Sequence, residues 1–297
     1  TALFLMRFVG APFTFSFEQV GTNCGLFGKN ACVEVDGSSY WMSENGFFTY
    51  DGQLRSMPCL VEDYVYDSIN DTSRDLINCG LNNLFGEINW FYCSEGSNLV
   101  DRVVTYNYLD SSAKQPIWTT GSLDRTAWQD SSVFNRPHAT YYTPSDNDSF
   151  DVTGNTDGIT IYYNQETGTD QVNAGGVVTA IQANILSGDF DITQKRSNTG
   201  QAVGTPDLRG DGEYIMRISR FIPDFINQTG ATQVSFTTRM YPNSSPVTSN
   251  FSITNSTTFK STRVRARSIA LKIANTSSGQ DWKLGTFRLD ISPGGLR

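Results

Sequence analysis

Near the C-terminal end, three arginines alternate with small apolar residues in the run Arg263-Val264-Arg265-Ala266-Arg267. Successive side chains of an extended strand point to opposite faces, so this spacing predicts that the three guanidinium groups project together from one strand. A guanidinium carries its donors in a planar fork that fits phosphate or carboxylate, so such a ladder suits an anionic partner. Two uses are open: a solvated strand surface, or a contact with an acidic surface. For the second, a neighbouring copy of the chain is favoured over nucleic acid, on the charge distribution described below.

Other candidate groups are less specific. Asp146, Asp148, Asp151, Asn155 and Asp157 crowd one stretch, and clustered oxygens can hold a hard cation such as calcium. The stretch lacks the twelve-residue loop pattern with its central glycine and terminal glutamate, so it reads as a solvated loop. Carboxylates for a glycoside-hydrolysing pair are plentiful, but nothing singles out one pair. His138 is the sole histidine, which excludes two-histidine zinc sites, the HExxH helix and any triad not built on that residue. No Walker pattern and no GxGxxG before a helix is present. The five cysteines, Cys24, Cys32, Cys59, Cys79 and Cys93, include no CxxC pair and read as buried free thiols. Seven Asn-x-Ser/Thr sequons, among them Asn227-Gln228-Thr229 and Asn255-Ser256-Thr257, fit turn chemistry in a chain rich in Asn, Ser and Thr. The sequence therefore assigns no catalytic residue, no metal and no cofactor; Arg263, Arg265 and Arg267 are its interface candidates.

The elements that must position these groups are strands. Phe13–Phe17, Ala31–Val35, Tyr40–Ser43, Gly46–Tyr50, Ile88–Cys93, Val103–Tyr108 and Gln115–Thr119 are short, aromatic or β-branched runs between turn signals. Asp36-Gly37, Glu44-Asn45-Gly46 and Asp51-Gly52 predict two hairpins between residues 31 and 55. Those hairpins make one four-stranded unit, and a comparable unit follows from Glu87 to Gly121. Units of about 40 residues point to propeller blades. Pro58 to Asn82 breaks the pattern: Leu60, Val61, Tyr64, Val65 and Ile69, then Leu76 and Ile77, recur at helical spacing behind the acidic Glu62 and Asp63. This predicts a helix inserted between blades, with a break near Asn70–Thr72. Residues 129–176 are loop-rich around an Ile159–Asn164 strand, and Gly175-Gly176 marks a domain boundary. Beyond it, Val177–Ala183, Tyr214–Ile222, Gln233–Tyr241, Arg263–Ile273 and Trp282–Ile291 predict a β-sandwich, with a polar loop at 193–212.

With 297 residues, 38% hydrophobic and 18% charged, the chain has a globular composition and room for two cores. The opening apolar run Ala2–Met6 ends at Arg7, well short of the roughly 20 residues a membrane span needs. Thr1 leads directly into this β-like run, so the sequence reads as entering a domain already under way. The expected organisation is all-β, a partial β-propeller over 1–176 and a β-sandwich over 177–297. Charge divides along the same line: residues 1–176 hold 8 Lys/Arg against 22 Asp/Glu, a net of −14, whereas 177–297 hold 14 against 8, a net of +6. Opposite signs let one half meet the other half of a neighbouring copy, or simply leave two solvated surfaces.

Several of these pieces are familiar in combination. Ser122-Leu123-Asp124-Arg125-Thr126-Ala127-Trp128 resembles the aspartate box that braces sialidase-type propeller blades, without that motif's glycine. The run from Tyr40-Trp41-Met42-Ser43-Glu44-Asn45-Gly46 through Tyr50-Asp51-Gly52 resembles the blade motif of bacteriophage tail nozzle or hub proteins of the packaged-DNA-stabilisation type. Arg265 to Ile273 and Trp282 to Asp290 resemble the terminal strands of the same group, and Val104–Tyr108, Trp118, Arg125–Trp128 and Tyr163–Gly168 add to the set. The resemblance implies a structural protein in the tail of a virion, without enzymatic activity. It implies assembly into a homo-oligomeric ring, a hexamer by expectation, that retains and then conducts the genome during ejection. Its implied partners are the portal or adaptor, other tail proteins and the DNA passing through; no small-molecule substrate is implied. A conduit wall that does not hold phosphates favours passage, which would suit the acidic half. The alternative is a receptor-binding or carbohydrate-active tail protein, with Tyr141, Tyr142, Tyr162 and Tyr163 stacking on sugar rings. A bacterial surface lectin unrelated to phage is a third reading.

Overall fold

A computed structural model describes residues 2–112, 115–131, 137–144, 159–165, 170–172, 177–192 and 214–295, with backbone alone for 141–144, 159–165 and 171–172. The fold is all-β, and the chain forms two compact units, Thr1–Thr167 and Gly168–Arg297. The acidic stretch Asp146–Asp157, Gly175-Gly176, the 193–212 loop and the side chains of Tyr141, Tyr142, Tyr162 and Tyr163 lie outside the described residues. Among the described residues, no helix is long and apolar enough to cross a membrane.

The first unit opens with a two-stranded ribbon, β1 (Ala2–Phe8) and β2 (Phe15–Thr22). A four-stranded antiparallel meander follows: β3 (Cys32–Val35), β4 (Ser38–Ser43), β5 (Gly46–Tyr50) and β6 (Leu54–Met57), paired in sequence order. Asp36 and Gly37, with φ of 49° and 78°, make the β3–β4 turn in the left-handed conformation that a tight hairpin requires. After a helical insert come a second meander, β7 (Asn78–Asn82), β8 (Glu87–Tyr92), β9 (Arg102–Asn107) and β10 (Trp118–Gly121), and a three-stranded sheet, β11 (Ala127–Gln129), β12 (His138–Pro144) and β13 (Ile159–Gln165). The first strands of these three sheets are neighbours: β7 lies beside both β3 and β11, and Asn30 bridges Asn78 in parallel sense.

One aromatic core joins the two meanders. Fully buried Phe47 lies 4.7 Å from the Trp118 ring, 5.0 Å from Trp90 and 5.9 Å from Tyr66, centroid to centroid. Indole N–H groups connect successive segments. Trp41 donates to the Cys24 carbonyl at 2.7 Å, Trp90 to Ala31 at 3.0 Å, Trp118 to Pro58 at 2.9 Å and Trp128 to Leu81 at 2.8 Å. Each of these rings thus adds a satisfied buried donor to its apolar burial, which fixes its orientation.

The helical insert is shorter than its periodicity predicts. Glu62–Tyr66 forms α1, Asp71–Leu76 a 3₁₀ helix, and Asn78–Asn82 is strand β7. The break falls at Asn70, whose side chain accepts from the Thr72 N–H at 3.0 Å and caps the second turn. Val61, Val65 and Ile69, four residues apart, turn to the core with Ile77, whereas Leu60, Tyr64 and Leu76 are exposed, so only part of the apolar spacing marks the buried face. Tyr66 ties α1 to the first meander, donating to the Ser43 carbonyl at 2.7 Å, and Asn70 ties the insert to the second, donating to Ser97 O at 2.7 Å.

The second unit contains β14 (Asp170–Val172), β15 (Val178–Ala180), β16 (Asn184–Leu186), β17 (Met216–Ile222), β18 (Phe225–Thr229), β19 (Thr232–Arg239), β20 (Val247–Ile253), β21 (Lys260–Ala266), β22 (Ser268–Ala274), β23 (Asp281–Leu284) and β24 (Arg288–Pro293). A sheet in the order β16-β22-β19-β20 and a sheet in the order β21-β17-β24 share one core of Met216, Ile218, Phe221, Phe236, Val264, Leu271 and their neighbours. The expected single strand Arg263–Ile273 is two strands in different sheets, broken at Arg267. The residues turned into the shared core are even-numbered in β21, Val264 and Ala266, and odd-numbered in β22, Ile269, Leu271 and Ile273, while the small Ala270 and Ala274 are buried on the other side of β22. A change of phase means that the chain cannot continue in one sheet with its apolar side inward. Trp282–Ile291 divides likewise, into β23 and β24.

Candidate interaction surface

The outer face of the β21-β17-β24 sheet concentrates exposed arginines. Buried Val264 and Ala266 orient β21 so that Arg263 and Arg265 stand exposed between them, and Met216 and Ile218 do the same for Arg217 on β17. Arg217 and Arg265 are direct cross-strand partners. Arg220 and Arg288 are also exposed, and Asp290, the one carboxylate on this face among the described residues, is bonded to Arg220. Among the described residues, no carboxylate pairs with Arg217, Arg263 or Arg265; Arg265 makes one long contact, 3.5 Å, to the Gly294 carbonyl. Like charges set opposite each other across a ladder oppose sheet formation by some tenths of a kcal/mol. The arrangement is suited to an anionic partner that neutralises them.

Arg267 does not belong to this face. It sits past the end of β21, at the corner where the chain passes to β22, and lines a cleft of about 660 Å³ with Asp189, Asp191, Arg239, Tyr241 and Ser268. There Arg239 Nη1 donates to Asp189 Oδ1 at 2.7 Å, and the Ser268 hydroxyl donates to Asp189 Oδ2 at 2.9 Å. The structure thus groups Arg263 with Arg265, separates Arg267, and adds Arg217, which sequence reasoning missed. The alternation Met216-Arg217-Ile218 was the available signal, but strand pairing was needed to set it against Arg265.

Other candidates resolve into structure. Ser122–Trp128 braces two sheets: Asn78 Nδ2 donates to the Arg125 carbonyl at 2.9 Å, buried Arg125 reaches Asp124 at 3.2 Å, and the Trp128 ring lies 5.7 Å from Phe91. His138 is buried on β12 beside Gln129. All five cysteines are free thiols, but only Cys24 and Cys93 are buried; Cys32 is exposed and Cys59 and Cys79 are half-buried. Burial pushes the Cys59 and Cys93 thiols up to about 11, helped by Glu62 beside Cys59 and Asp101 beside Cys93. Such thiols stay protonated and unreactive at neutral pH. Among the described residues, no group of three or more His, Cys, Asp or Glu is arranged to hold a metal ion.

Compared with known proteins, the chain matches no family model and no curated protein.

Proposed function

We propose that this chain is a structural protein of a tailed-bacteriophage virion, a subunit of a ring on the tail axis that retains the genome and conducts it during ejection. The architecture we read is a partial β-propeller followed by a β-sandwich. The observation that carries the reading is the side-by-side placement of β3, β7 and β11, each the first strand of its own sheet. First strands gathered together, with later strands running outward, is how blades are arranged around a propeller axis. In the second unit, two sheets on one core fit a sandwich.

Ring assembly draws support from charge. The net −14 of residues 1–176 and the arginines Arg217, Arg263 and Arg265, which pair with no carboxylate among the described residues, provide complementary surfaces for successive copies. We read the protein as working through assembly, without turnover, a hexamer with the portal or adaptor and other tail proteins as neighbours. Electron microscopy of virions, with the solution mass of the purified chain, tests this. Rings of six- or twelve-fold symmetry on the tail axis are expected; copies only on peripheral fibres, or a glycan-binding monomer or trimer, would refute it.

A further inference from the structure

The arginine face of the second unit has a counterpart on the first, the helical insert. Between Leu60 and Ile77 that insert holds five carboxylates, Glu62, Asp63, Asp67, Asp71 and Asp75, against one cation, Arg74, which is taken by Glu44 at 2.8 Å. Among the described residues, no Lys or Arg pairs with Asp63, Asp67, Asp71 or Asp75, and all four are exposed. Helix geometry sorts the side chains, because residues three and four apart share a side. Val61, Val65 and Ile69 take the core side, which leaves Leu60, Asp63, Tyr64 and Asp67 together on the outer one. Leu60 is 77% exposed and Tyr64 53%.

Each surface is repulsive within itself and complementary to the other. Asp63 and Asp67 are like charges one turn apart, as Arg217 and Arg265 are like charges across a ladder. The spacings agree as well: about 5–6 Å between β-carbons one helical turn apart, and about 4.5–5.5 Å between direct cross-strand partners. Two carboxylates of the insert can therefore meet two guanidinium forks at once. Apolar contact is also available, since the Arg220 guanidinium lies 5.8 Å over the ring of Phe259, which is itself exposed, and Leu60 and Tyr64 stand between the carboxylates. Nucleic acid would engage the arginines too, but a chain of net charge −8 repels it, and the insert's carboxylates would be left unpaired. A second copy satisfies both surfaces.

We infer that the outer side of the insert seats on the β21-β17-β24 face of a second copy of this chain, with Asp63 and Asp67 meeting Arg217 and Arg265. The two surfaces differ, so the contact is head-to-tail, the kind that generates a ring when its rotation closes. The inference rests on the ring reading above and names the contact that builds it.

The test uses the 297-residue chain with two charge reversals, Asp63→Lys with Asp67→Lys in the insert and Arg217→Glu with Arg265→Glu in the face, and reads masses by mass photometry. Urea transitions check folding. Where a reversal disturbs it, Asp63→Asn with Asp67→Asn, or Arg217→Gln with Arg265→Gln, replaces it with about a tenfold loss of assembly expected. The wild-type chain should assemble, less strongly as salt is raised from about 0.05 M to about 0.5 M. Each reversal alone should weaken assembly by about a hundredfold or more, because like charges then face each other. Mixing the two reversed chains should restore it, since every reversed insert then finds a reversed face. Restoration only when one chain carries both reversals would place the contact within a single chain and overturn the second copy. Loss with no restoration in either form, or loss with one reversal alone, would refute the pairing. Rings undisturbed by both reversals would overturn the contact and leave the ring reading standing. Closed dimers that obey the mixing pattern would keep the contact and refute the ring. A wild-type monomer overturns both, and its binding to duplex DNA, lost in Arg217→Glu with Arg265→Glu, would identify nucleic acid as the occupant of the face.

Discussion

Replacing Phe47 with alanine removes the side chain on which three packing directions converge. The ring is fully buried and touches Trp90 and Trp118 of the second meander and Tyr66 of α1. Truncating a buried phenylalanine costs about 3–5 kcal/mol through lost transfer energy and the cavity left behind. The three ring pairs, each about 0.5–1.5 kcal/mol beyond burial, place this site in the upper part of that range. With a urea slope of about 2–3 kcal/mol/M, the midpoint should fall by about 2 M. Tryptophan fluorescence is a selective probe, because four of the five tryptophans, Trp41, Trp90, Trp118 and Trp128, belong to the first unit. Phe47→Leu keeps more of the apolar volume but gives up the three ring pairs, so it should cost roughly 1.5 kcal/mol or more and less than the alanine variant. Phe236→Ala, buried in the second unit's core, should move that unit's transition instead. A loss below about 1 kcal/mol for Phe47→Ala, or an equal displacement of both transitions, would refute the claim that this cluster joins the two meanders.

A β-carbon at Gly80 would lie 2.4 Å from the Trp128 ring, so Gly80→Ala must push β11 away from β7; overpacking of this kind costs about 1–3 kcal/mol and should red-shift tryptophan emission. Arg265→Ser removes one of two facing charges and should leave the second unit's urea midpoint unchanged or slightly raised, whereas a loss above about 1 kcal/mol would make Arg265 a structural residue. Cys59 and Cys93, raised to about 11, should resist iodoacetamide at pH 8 in the native protein and react once it is unfolded, as peptide mass spectrometry would record. Because both folded values lie above the unfolded value of 9.0, the folded state keeps protons that the unfolded state loses. Stability is therefore unaffected below about 9 and falls as pH rises through about 11, which urea titrations across that range would measure.

Local patterning made much of this protein legible. Turn residues such as Asp36-Gly37, placed between alternating aromatic runs, determined the first meander, since a tight hairpin needs left-handed residues wherever it occurs. The acidic and basic halves and the single histidine are properties of the chain itself, so the function classes they exclude did not depend on folding. The helix–strand ambiguity of Asn78–Asn82 was not legible. Leu76 and Ile77 fit a helical period, but Gly80 and Asn78 of β7 serve close contact with Trp128 and Arg125, which lie far along the chain.

The basic face divides in the same way. Alternation along β21 was enough to put Arg263 and Arg265 on one side of a strand. The phase change between Ala266 and Ile269 was present in the sequence, yet only a second sheet taking up the odd-numbered residues made Arg267 a corner. Arg217 joined the site because antiparallel pairing sets it opposite Arg265, from a position 48 residues away in the chain. The β1–β2 ribbon followed the same logic. The sequence determined that Phe4, Met6, Phe8, Phe15 and Phe17 alternate; whether such a row is core or surface depends on what the rest of the chain leaves beside it. Period and turn chemistry are local and written into neighbouring residues, whereas strand pairing and burial are settled between residues far apart, and only the tertiary structure contains them.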